Sequence, residues 1–176
     1  MNTDEPAPER LNDVDSDAVA GLVAKIESKP EVASTHFRAN VVWTGGFTSE
    51  ATVRDFAPVP SDEPPGMGGS NTAANPVEQV LGALGNCLAV GYAAKATALG
   101  IEINDLQIHL EGDLNVQTFL GLDPAGNAGY EAIRVSVELD ADAPPEQLAR
   151  LHEQVVATSP VTHTLERPVP VDVQLA

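Results

Sequence analysis

In "SDAVAGLVAKIESKP" apolar residues recur at helical spacing. Val19, Leu22, Val23 and Ile26 share a face behind a possible Ser16 cap, and Pro30 lies beyond the end. This predicts a short amphipathic helix. In "THFRANVVWTGGFTSEATVRDF" the pattern changes to strand residues on both sides of Gly45-Gly46, a dipeptide able to take the positive φ of a tight turn, so a β-hairpin is expected. Residues 57–74, "APVPSDEPPGMGGSNTAA", hold too much Pro and Gly for regular structure and read as a linker or a long functional loop.

The chain then enters "NPVEQVLGALGNCLAVGYAAKATALG", which opens with Asn75 as N-cap, Pro76 at the first helical position and Glu78 in the positive end of the dipole, and stops at Gly100. Gly82, Gly85, Ala89 and Ala93 form a small-residue face, while Val80, Leu84, Leu88 and Val90 supply bulk elsewhere. Such a helix should be buried on most sides. In a chain this short, that points to a second subunit, an intimate homodimer, as well as to packing within the chain. "IEINDLQIHLEGDLNV" and "YEAIRVSVELDAD" read as strands, the second with Ile133, Val135, Val137 and Leu139 inward and Arg134, Ser136 and Glu138 outward. Between them Phe119 and Leu120 are expected to tuck into the core. "PPEQLARLHEQVVATSP" is a further amphipathic helix carrying Leu148, Leu151 and Val155, and "PVPVDVQL" reads as a closing edge strand. Without regular βαβ alternation, this order predicts an α+β fold with largely antiparallel sheet.

The chain has 176 residues, enough for one domain with a sizeable core. Residues 1–15, acidic and with little to bury, are expected to be a disordered tail, leaving residues 16–176 as a single domain. With 26 acidic against 9 basic side chains the formal net charge is −17, which disfavours nucleic acid and anionic membrane surfaces as partners. Neither a signal peptide nor a membrane-length apolar run is present, so a cytoplasmic location is expected. His36, His109, His152 and His163 lack close metal-ligand spacing, and "PPGMGGSN" lacks the Lys of a phosphate-binding loop, so neither a metal nor a cofactor is expected.

That leaves Cys87, the only cysteine of the chain and unable to form an internal disulfide. A mid-helix thiol among apolar neighbours, away from the helix N-terminus, suits inert packing as well as chemistry. The residues alone leave both open.

Together, "NPVEQVLGALGNCLA", "LQIHLEGDLN", "FLGL", "YEAIRVSVEL", "SPVTHTL" and "PVPVDV" resemble the OsmC/Ohr family over roughly residues 35 to 175. That family includes thiol peroxidases that reduce organic hydroperoxides. The resemblance implies two intertwined chains, antiparallel sheets wrapped around long central helices, and active sites at the dimer interface. It matches Cys87 to the peroxidatic cysteine, whose thiolate attacks the peroxide and becomes a sulfenic acid. Glu78 is matched to the family's helix-start glutamate, displaced by one position because Val77 follows Pro76. Nine residues at about 100° each put Glu78 on the side of the helix opposite Cys87, where it could act across a dimer or simply favour the helix start. Two further departures stand out. The family's resolving Cys-Pro pair is Ser159-Pro160 here, and its hairpin arginine falls on Gly45-Gly46-Phe47. Ser159 could donate into the pocket or cap the turn, and His163, just past Ser159-Pro160, could fall near the sulfur or be a surface-loop residue. Two functions follow as expectations. One is a one-cysteine peroxidase resolved by an external thiol; the other is a binding protein holding a small apolar ligand beside Cys87.

Overall fold

The computed structural model describes residues 10–175 and divides into two compact units, one of residues up to Asp17 together with those from Ala83 onward, the other Ala18–Gly82. Among the described residues four α-helices, α1 (Ser16–Ser28), α2 (Pro76–Ala98), α3 (Pro145–Thr158) and α4 (Pro160–Glu166), accompany five strands. The strands form two antiparallel sheets, β1 (Asn40–Gly45), β2 (Thr48–Thr52) and β3 (Val59–Ser61) in that order, and β4 (Ile103–Leu114) with β5 (Tyr130–Ala141). The mixed helix and antiparallel sheet are those expected. Among the described residues no helix is long and apolar enough to cross a membrane.

In the Ala18–Gly82 unit the hairpin turns at Gly45 and Gly46, with φ of 126° and 55°, and Thr48 locks it by donating its hydroxyl to the Gly45 carbonyl at 2.6 Å. The Pro- and Gly-rich stretch that follows is more ordered than its composition suggests. It contributes β3, a single turn of 3-10 helix at Pro65–Met67, and a buried carboxylate, Asp62, 1 % exposed. Asp62 accepts hydrogen bonds from the amides of Glu63 (2.8 Å), Ser70 (3.1 Å) and Thr72 (3.0 Å) and from the Thr72 hydroxyl (2.8 Å). These donors, the Thr72 amide first, hold its carboxyl below the ordinary value. A β-carbon at Gly69 would fall 1.9 Å from the Glu63 carbonyl oxygen, so only glycine fits this close approach. Helix α1 forms as predicted, but no residue of it is buried in the single chain.

In the other unit the core is one stripe of α2, Leu84, Leu88, Tyr92 and Ala96 at successive intervals of four, packed with Ile101 and with Leu151 and Val155 of α3. The inner faces of β4 and β5 close on it through Leu106, Ile108, Leu110, Ile133, Val137 and Leu139. On the outer face Arg134 pairs with Glu111 at 2.6 Å and with Asp113, a cross-strand network in solvent.

Several expectations are corrected. Residues 1–9 of the expected tail lie outside the described residues, whereas at its end Asn12 bonds the Thr97 hydroxyl, the Ile101 carbonyl and the Ile103 amide at 2.9–3.0 Å. The side chain of Asn12 thus satisfies backbone groups at the α2–β4 junction. Phe119 and Leu120 do not enter the core but stand 64 % and 54 % exposed. Val135 shares the inward parity of β5 but is also exposed. The closing segment forms no strand: Pro168 and Pro170 cannot donate, and Val169, Val171 and Val173 are exposed. Nor is α2 buried on most sides, since Val90 is 69 % exposed in the single chain. His163 lies in a helix, α4, rather than a loop.

Candidate functional site

Cys87 precedes Leu88 on α2 and is therefore at the flank of the buried stripe, half-buried. Opposite it stands α3, with Leu151 and Val155 buried four residues apart, and the buried Ser159 follows directly after its last residue, four positions beyond Val155. Pro160 fixes the local geometry. It disfavours helical backbone at the residue before it, leaving Ser159 extended with φ −73° and ψ 116°, and it fits the first position of α4.

Ser159 is 4 % exposed, and its Oγ lies 3.4 Å from the Cys87 sulfur. The same oxygen caps α4, accepting from the Thr162 amide at 3.4 Å and the Thr162 hydroxyl at 2.9 Å. The capping role expected of Ser159 is thus present, and the same oxygen also contacts the sulfur, a contact in which either atom could be the donor.

Two further contacts fix the α2–α3 pair. The buried Tyr92 hydroxyl bonds His152 Nδ1, and desolvation raises the phenol above its ordinary value. At Gly91 a β-carbon would come 3.0 Å from Val155 Cγ1, so this glycine permits close approach. The contacts run Tyr92–His152, Gly91–Val155, Cys87–Ser159, which makes the helices antiparallel. Gly91 lay outside the small-residue face chosen from sequence. Within that face Gly85 packs on Leu110 of β4, and Gly82 faces open space.

Glu78 is engaged at the start of α2. Its Oε2 accepts from the Asn75 amide at 2.8 Å while its own amide donates to Asn75 Oδ1 at 2.9 Å, a reciprocal capping box. Among the described residues Ser159 is the side-chain hydrogen-bond partner of Cys87; Arg134 is committed to Glu111 and Asp113, and Arg10 to Asp15. His163 lies one turn into α4, its amide on the Ser159 carbonyl at 3.1 Å. No group of His, Cys, Asp and Glu suited to a metal ion occurs among the described residues. An open groove of about 390 Å³, lined by Leu99, Pro144, Gln147 and Arg150 among others, lies at the far end of the helix pair and includes neither Cys87 nor Ser159.

The pairing of a partly accessible thiol with a buried hydroxyl is chemically asymmetric. Sulfur can be alkylated, oxidised or ligated, whereas the serine can donate or accept a proton but cannot form a disulfide.

A family model described as OsmC-like protein matches residues 68–174. The chain is 31% identical over 125 residues to Uncharacterized protein YmaD of Bacillus subtilis (strain 168), covering 69% of this chain and 79% of that protein. Among solved structures, an OsmC like protein from Mycoplasma pneumoniae superposes with a TM-score of 0.65 at 18% identity, over 76% of this chain and 89% of that one. An organic hydroperoxide resistance protein from Elizabethkingia anophelis, with thiocyanate bound, superposes with a TM-score of 0.54 at 16% identity, over 74% and 89%.

Proposed function

Because the chain belongs to the OsmC-like protein family, we propose that it is a one-cysteine, thiol-dependent peroxidase for organic hydroperoxides. The observation that carries this reading is the half-buried Cys87 sulfur set 3.4 Å from the buried hydroxyl of Ser159. In the proposed cycle the Cys87 thiolate attacks the distal peroxide oxygen. The O–O bond breaks, an S–O bond forms, sulfur loses two electrons, and the leaving alkoxide takes a proton to become an alcohol. With serine beside the sulfur, the sulfenic acid is resolved by an external small-molecule thiol. That thiol forms a mixed disulfide and releases water, and a second equivalent regenerates Cys87.

A homodimer is part of the proposal. Apolar side chains left exposed by the single chain, including Trp43, Val90, Val171 and Val173, would be covered by a second copy. Glu78 holds the helix cap, and Glu78→Gln, which preserves the capping box, separates that role from one in catalysis. Loss of turnover at unchanged stability would assign the carboxylate to the reaction.

The direct test is hydroperoxide consumption. Wild-type protein with dithiothreitol should consume cumene hydroperoxide over many turnovers, and Cys87→Ser should not exceed the rate of dithiothreitol alone. Equal rates for the two proteins would refute the enzyme and favour a binding role for the site.

A further inference from the structure

Resting on the peroxidase reading, we infer that Ser159 is the hydrogen-bond donor that supports the Cys87 thiolate, and that Thr162 is a positioning residue aiming its proton at the sulfur. Ser159 Oγ has three polar neighbours, the Thr162 amide at 3.4 Å, the Thr162 hydroxyl at 2.9 Å and the Cys87 sulfur at 3.4 Å. A serine hydroxyl offers one proton and two lone pairs. The amide can only donate, so it fills one lone pair. The Thr162 hydroxyl, placed to donate, fills the other, which leaves the single Ser159 proton for sulfur.

This arrangement matches a thiolate better than a thiol. A thiolate only accepts, so the direction Thr162 O–H to Ser159 O–H to sulfur uses every donor and leaves the buried oxygen fully satisfied. A protonated sulfur is a weak acceptor in that direction and gains less from it. Donation from Thr162 also polarises the Ser159 hydroxyl, and the gain is larger when the final acceptor is charged. Burial of Ser159 to 4 % exposure shields this bond from competing water.

The test is the pH profile of Cys87 alkylation by iodoacetamide, which reports thiolate without any hydroperoxide. Ser159→Ala should lower the rate at neutral pH by about tenfold, the loss of one charge-assisted hydrogen bond, and displace the profile to higher pH. Thr162→Val keeps the amide bond to Ser159 and removes only the hydroxyl, so it should move the profile less but in the same direction. Thr162→Ser should restore wild-type behaviour, which a purely structural role for the threonine methyl would not produce. Ser159→Ala and Thr162→Val profiles that overlay the wild type would overturn the inference even if hydroperoxide is consumed. A displaced profile in a protein that consumes no hydroperoxide would overturn the peroxidase and leave the thiolate support standing.

Discussion

Replacing Ser159 by cysteine puts a second sulfur where the hydroxyl now touches Cys87. The present Sγ–Oγ separation is 3.4 Å, against about 2.05 Å for a disulfide bond, so roughly 1.3 Å must be closed by rotation of the two side chains. The bridge would span 72 positions of sequence, from α2 to the end of α3. On the chain-entropy account a loop of that length restricts the unfolded chain by about 4 kcal/mol, before any native strain is subtracted. For a protein of this size that corresponds to a rise in melting temperature on the order of 10 °C. With one equivalent of hydroperoxide, intact mass should show the wild type gaining one oxygen and Ser159→Cys losing two hydrogens instead. The oxidised variant should then melt above its reduced form. If it keeps two free thiols, or gains oxygen as the wild type does, the two side chains do not face each other in solution and the site as drawn is wrong.

Two other perturbations probe the scaffold. Asp62 has its carboxyl held below the ordinary value by the hydrogen bonds it accepts, the Thr72 amide first, so its contribution to stability is complete above the unfolded value and is lost as pH falls through the lower folded one. Asp62→Asn, which turns an N–H₂ towards those donors, should therefore melt below wild type at neutral pH, and the gap should narrow below about pH 3.8; a gap constant with pH would contradict the assignment. Gly82 faces open space and Gly85 faces Leu110 at 2.9 Å. If the proposed homodimer forms, Gly82→Leu should therefore weaken it with little loss of fold, while Gly85→Leu should lower the melting temperature first. Light scattering and thermal melts compare the pair, and an unaltered dimer in Gly82→Leu would take that position out of the interface.

What was legible in the sequence was what neighbours in the chain determine. Asn75 and Glu78 announce the start of α2 because a capping box is made within four residues, and Gly45-Gly46 announces a turn because few other pairs take those φ values. The alternation of β5 was readable from its period of two, though parity alone did not show that Val135 is left uncovered. Asp62 was not legible. An acid between Ser61 and Glu63 looks solvated; beyond the adjacent Glu63 amide, its donors come only with the return of the chain at Ser70 and Thr72. The facing of Cys87 and Ser159 could not come from local pattern either, since α3 must first dock on α2 through Gly91. In the sequence only the family resemblance marks Ser159-Pro160. Phe119 and Leu120 are apolar yet uncovered in the single chain, because apolar character does not by itself specify burial, and the valines of the closing segment alternate as in a strand but find no ladder partner.

The most direct measurement of the central claim is the intact mass of native protein after brief exposure to stoichiometric cumene hydroperoxide. Wild type should carry one added oxygen on Cys87, removed by dithiothreitol and absent from Cys87→Ser. A native thiol that stays unmodified in excess hydroperoxide, while the denatured chain reacts, would make Cys87 a packing residue and contradict the peroxidase.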